Sequence, residues 1–313
     1  MNIAESNSIK KKAKETKPFP GISSIPSIAM IKKTFIFDLC GWRKLVISVF
    51  SMVLVPALIL AFTSQGVLSG DEHVVQLLGF ATWYYNFAIM FPIIIISSTS
   101  PLISEELRTG TMLFLVSKPI NRSKIVLSKF IALYLFGIVL SLVSLSIISL
   151  IAVIKYPFDD IGSYLGIFFL YSLIITFFFG GITIAFSSIF KRPRNVLLLP
   201  LALVIFSFLV IMMFKPFLLF APENWYEKYL LYNFDIGYHF ANIFLWIGES
   251  FVPAILDYFE QIFWMFGIIK TDDFETFEKT NYYHPVVSFI YLIVIAGIFL
   301  VISIVTLNKR DIS

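Results

Sequence analysis

The chain has 313 residues, of which 58% are hydrophobic and 14% charged, with a formal net charge of +4. An ordinary soluble protein carries roughly 25% charged residues, and a soluble domain of this length could not bury so much apolar surface, 35 Phe included. Soluble, secreted, collagen-like and disordered classes are therefore excluded, and the single cysteine, Cys40, excludes an intrachain disulfide and a cysteine-based zinc site.

Residues 1–27 are rich in Lys, Ser and Pro and lack apolar periodicity, which predicts a disordered basic tail. It does not read as a signal peptide, because about 44 residues precede the first apolar run. Ile28, Ile31, Phe35, Leu39 and Trp42 then recur at helical spacing, with Lys32, Lys33, Asp38 and Arg43 mainly elsewhere on the helix. This pattern predicts an amphipathic helix over 28–44 lying in the bilayer interface.

A bilayer core about 30 Å thick needs about 20 helical residues to cross it. Six apolar runs qualify: Leu45–Ser64, His73–Ser104, Phe130–Ile154, Ile161–Phe190, Asn195–Phe214 and Pro285–Leu307. The expected fold class is an all-α polytopic membrane protein, with spans 1–5 in 45–214 and the sixth in 282–308. Of the 24 basic residues, 19 fall in residues 1–44, 101–129, 191–194 and the C-terminal 309–313, while 14 of the 20 acidic residues lie on the other side. The positive-inside rule then makes both termini cytoplasmic, in a multi-pass protein of the cell membrane. The outer segment 215–281 holds 19 aromatics and ten acidic residues. Its longest charge-free piece, Ile236–Gly248, is too short to span, so helices lying on or dipping into the outer leaflet are expected.

Catalytic constellations are missing from the sequence. His73, His239 and His284 form no metal-binding pair, and neither a Walker loop nor a G-x-S-x-G elbow occurs. No cofactor, metal or nucleic-acid site is expected on this chain, nor enzyme activity of its own. The inner parts of the spans hold only Ser, Thr, Gly, Asn86 and aromatics as possible polar groups, which disfavours ion-coupled transport.

The segment 101–124 carries the most information. Ser104 reads as an N-cap with Glu105 and Glu106 in the first turn, and Gly110 weakens or bends the helix that follows. Met112, Leu113, Phe114 and Leu115 supply an apolar surface. Lys118-Pro119 ends the element, and Asn121 caps a helix that runs through Lys129 into the third span. A short, partly apolar cytoplasmic helix close to the membrane suits docking on a partner protein.

The order Ser104, Glu106, Gly110, Thr111, Ser117, Lys118, Pro119, Ile120, Arg122 and Lys129 resembles that of ABC-2 type transporter permeases, and most of all the group that includes the permease of the nitrous-oxide reductase maturation system. The resemblance implies a type V exporter-like architecture, with an elbow-like helix at Ile31, Phe35, Leu39 and Trp42 and a coupling helix after span two. It further implies a separate ATPase subunit carrying ATP and Mg, and a second permease subunit, identical or related. On that implication Glu105, Glu106 and Arg108 contact the ATPase around Gly110 and Thr111, and Met112 to Leu115 fill its groove. Pro119 and Arg122, next to Lys118, set the angle at which the chain enters span three. Two other readings stay open on the residues: a membrane scaffold of the same shape that moves no substrate, and a secondary carrier or channel.

Overall fold

The computed structural model describes residues 27–62, 78–112, 121–155, 161–219, 224–252, 259–270, 278–280 and 282–310. Residues 1–26 of the basic tail lie outside the described residues, as do Leu113, Phe114, Leu115, Ser117, Lys118, Pro119 and Ile120. The architecture is all-α apart from a two-residue antiparallel ladder, Ile269–Lys270 with Glu278–Lys279. Among the described residues six helices are long and apolar enough to cross a bilayer: span 1 (Trp42–Phe62), span 2 (Leu78–Thr109), span 3 (Arg122–Ile154), span 4 (Ile161–Ile189), span 5 (Pro193–Leu219) and span 6 (Pro285–Lys309).

Span 4 is the centre of the bundle, packed by spans 2, 3 and 6. Lipid tails give helices no hydrophobic reason to associate, so close backbone approach and small residues take over that role. A Cβ on Gly137 of span 3 would lie 2.5 Å from Thr176 Oγ1 of span 4. One on Gly181 would lie 3.2 Å from the Ala296 carbonyl of span 6. Several Ser and Thr inside the spans turn their hydroxyls onto their own helix, as Thr183 Oγ1 does to Phe179 O at 2.7 Å, which satisfies the hydroxyl without a partner helix.

Span 2 departs most from a regular helix. After three α-helical residues it passes into π-helical turns at Ala81–Met90, where Phe91 N–H reaches Asn86 O five residues back, just before Pro92. A second α-helical piece, Pro101–Thr109, follows directly on Ser100, whose backbone is itself helical. Ser104 is therefore not an N-cap. It lies inside the helix, its Oγ donating to Ser100 O, and Glu105 and Glu106 occupy the second turn rather than the first. Gly110 does not bend this helix but ends it, at a left-handed φ of 75° that glycine adopts without penalty. Span 5 likewise runs past the expected stop at Lys215-Pro216 to Leu219.

The segment before span 1 is helical from Ile28 to Lys33 and continues in π-helical turns over Thr34–Leu39. The middle of its periodic stripe packs on protein. Leu39 is fully buried, Ile31 and Phe35 lean on the core, and the segment lies along span 3. Trp42 is exposed at the start of span 1, and Ile28 and Phe37 carry the other large exposed apolar surfaces.

Between spans 5 and 6 the chain turns back into the bundle. The helix Ile236–Phe251 begins at Asp235, whose Oδ1 accepts from Tyr238 N at 3.1 Å. Phe240 meets Phe178 and Phe179 of span 4, and Phe244 meets Tyr171 and Phe168, about two to three turns nearer the start of that span. Phe251 comes to rest against Gly166. The helix thus runs antiparallel to span 4 and starts deep, with Gly237 against the Ser207 carbonyl about halfway along span 5. Irregular backbone at such depth is tolerated only when protein encloses it, and Asp235, Tyr238 and His239 are all buried.

Candidate coupling site at the basic face

One end of the bundle gathers the start of span 3, the ends of spans 2, 4 and 6, and the basic residues around them. The helix Pro101–Thr109 is fastened here from behind. Ser187 Oγ of span 4 accepts from the backbone N–H of Ile103 and of Ser104, at 3.1 and 3.0 Å, and donates to Ser100 O at 3.0 Å. One hydroxyl thereby satisfies three backbone groups at the junction before and after Pro101. From span 3, Lys129 reaches the same helix. Its Nζ donates to Leu102 O and forms an ion pair with Glu106 Oε2 at 2.8 Å. Lys129 is buried, while Glu106 keeps 18% of its side chain exposed. A buried ammonium is tolerated when paired in this way, and losing one partner of such a pair is far more damaging than losing an exposed pair.

Met112 does not contribute to an outward apolar surface. It is fully buried among Ile103, Ile125, Val126, Phe130, Ile184 and Leu307. Glu106 is likewise turned inward to Lys129. The outward side of the helix carries the Glu105–Arg108 pair, with Arg108 Nε donating to Glu105 Oε2 at 3.0 Å, and the hydroxyls of Thr109 and Thr111, 3.0 Å apart. Of the expected contact residues, Glu105, Arg108 and Thr111 therefore face outward, Glu106 and Met112 face inward, and Gly110 forms the turn between.

Arg122 is also committed within the chain. Its Nη1 donates to Leu307 O, Asn308 O and Arg310 O at 2.8, 3.1 and 2.8 Å, closing the end of span 6. Arg310 in turn donates to Ser188 O and Ile189 O at 2.7 and 3.2 Å, closing the end of span 4. Helix C-termini leave carbonyls without partners and carry partial negative charge, so a guanidinium suits both needs. Sequence reasoning missed both caps, because each joins residues more than a hundred positions apart.

The opposite end holds a second buried ion pair, also missed. Lys215 of span 5 is fully buried, pairs with Asp235, donates to Phe266 O at 2.8 Å and lies over the rings of Tyr226 and Phe266. Tyr226 Oη donates to Asp235 Oδ2 at 2.7 Å. Burial and the neighbouring Asp235 carboxylate push the Tyr226 phenol well above its ordinary range. His239, hydrogen-bonded to Ser288 at 3.1 Å and stacked 4.2 Å from Tyr291, is held neutral by burial, its pKa lowered to about 4. Lys129 and Lys215 are buried ionisable side chains, each toward one end of its helix and outside the inner part of the span, where none is expected. Among the described residues no three of His, Cys, Asp and Glu gather as metal ligands would.

No curated protein matches the chain. The profile of ABC-2 family transporter proteins matches residues 4–312. With six helices of membrane-spanning length arranged around this basic face, the chain belongs to the ABC-2 family and is a multi-pass permease component of an ABC transporter.

Proposed function

We propose that the chain is the membrane subunit of an exporter whose energy comes from ATP hydrolysis on a separate ATPase subunit. That subunit docks on the outward side of the helix Pro101–Thr109 and on the residues that follow it. The basic face is then cytoplasmic, as the charge distribution expects, and a second permease subunit completes the translocation path. The observation that carries this reading is the division of labour in one short helix. Glu105, Arg108 and Thr111 face outward, while Glu106 and Ser104 fix the helix to spans 3 and 4. A partner that moves the outward side therefore moves the ends of three spans together.

Affinity purification in mild detergent from native membranes tests this. An ATP-binding subunit should accompany the wild-type chain and the Glu106→Gln variant, but not the Glu105→Ala, Arg108→Ala double variant. Recovery of the wild-type chain alone, or ion conduction by the reconstituted chain without any ATPase, would sink the proposal.

A further inference from the structure

Spans 4, 5 and 6 enclose a groove of about 640 Å³ that takes no part in the coupling site. Ile182 and Phe186 of span 4, Leu199, Leu203 and Phe206 of span 5 and Phe299 of span 6 line it, and every other lining side chain is apolar as well. Leu199 and Phe206 are half exposed, so the groove opens sideways, toward the region lipid occupies. Along span 5 it extends from Leu199 to Val210. At 1.5 Å per residue that is about 16 Å, close to the thickness of one leaflet of a hydrocarbon core of about 30 Å.

The ends of the same three helices carry Lys191, Arg192, Arg194, Lys309 and Arg310. Lys191, Arg192, Arg194 and Lys309 are exposed, and no carboxylate among the described residues pairs with them. Arg194 precedes Leu199 by little more than one helical turn, so the charges stand at the basic-face mouth of the groove, at headgroup depth.

We propose that this groove binds one anionic phospholipid, an acyl chain lying between Leu199 and Val210 and the phosphate held at Arg192 and Arg194. A chain of methylenes matches a lining without polar groups, and a negative headgroup matches a cluster that no carboxylate pairs with among the described residues. A second copy of the chain fits less well. A two-fold axis beside the groove would bring two basic clusters toward each other. The proposal is independent of whether an ATPase docks on the coupling site.

The test uses the full chain in nanodiscs of phosphatidylcholine into which phosphatidylglycerol is titrated, with retained lipid counted by mass spectrometry after detergent extraction. The wild-type chain should keep one phosphatidylglycerol and show a higher thermal midpoint in its presence. Arg192→Gln with Arg194→Gln should weaken phosphatidylglycerol binding roughly 30-fold and leave the midpoint in pure phosphatidylcholine unchanged. Leu199→Trp alters an exposed position, keeps the basic cluster and fills the groove, and should also lose the retained lipid. Equal retention of both lipids by all three proteins would overturn the proposal. So would a Leu199→Cys, Cys40→Ser variant that cross-links between two copies of the chain, because the groove would then be a subunit contact.

Discussion

Two buried lysines, one toward each end of the bundle, solve the same problem differently. Lys129 and Lys215 each meet one carboxylate and one backbone carbonyl, Leu102 O for the first and Phe266 O for the second. At the aromatic end the carboxylate is sealed, because Asp235 also accepts from Tyr226 Oη and Tyr238 N and is only 2% exposed. At the basic end Glu106 still touches solvent and sits on a helix whose other side is free. The sealed pair holds a returning helix in the bundle. The half-open pair ties a surface element to the interior, which is what a transmitted push requires.

The largest expected effect comes from breaking the sealed pair. Asp235→Ala strands the Lys215 ammonium in the interior and should destabilise the protein by about 3–5 kcal/mol, seen as a lowered thermal midpoint in detergent. Lys215→Met combined with Asp235→Asn should recover most of the loss, since the amide still accepts from Tyr238 N. Failure of that rescue would show that the charge pair is not what fixes the returning helix.

His239 sharpens the same contrast through pH. Its folded value of about 4 lies below the ordinary 6.5, so the unfolded chain takes up the proton first. Its contribution is full above pH 6.5 and is lost as pH falls toward 4. The loss amounts to about 3 kcal/mol at 1.36 kcal/mol per pH unit. His239→Phe should flatten that part of the stability profile relative to wild type, and parallel profiles would refute the assignment.

Glu106→Gln should be milder, about 2 kcal/mol, because water still reaches this end of the pair. The ATPase should still bind the variant, but transport per ATP hydrolysed should fall. The Glu105→Ala, Arg108→Ala variant should leave the thermal midpoint where it was, since exposed ion pairs contribute little, and should lose the ATPase. A midpoint drop as large as that of Glu106→Gln would mean the outward pair is structural after all.

The six spans were legible because each is a long apolar run with charges at its ends, and no competing structure satisfies the backbone in lipid. Their boundaries and partners were not. Ser104 followed by two glutamates has the pattern of a helix start, yet the group that meets its N–H is Ser187, 83 residues away. The stripe Ile31, Phe35 and Leu39 announces an apolar face, but period alone does not say whether lipid or span 3 covers it. Met112 in a polar stretch looks like a knob for a partner and is instead a core residue of this chain. Lys215 beside Pro216 has the pattern of a span's end, and only the returning Asp235 explains its burial. Of the candidate coupling site, the outward Glu105 and Arg108 were readable locally, while the fastening behind them depends on contacts from distant helices.

The two arginine caps bear on how the protein is made. Ser188 and Ile189 leave the ribosome early, but the guanidinium that closes their carbonyls belongs to Arg310, more than 120 residues later. Until Arg310 is made, the carbonyls of Ser188 and Ile189 lack the guanidinium that closes them in the folded chain. Arg122 is made long before the carbonyls of Leu307 and Asn308 that it closes. Neither cap can close before span 6 and the residues just after it have been made.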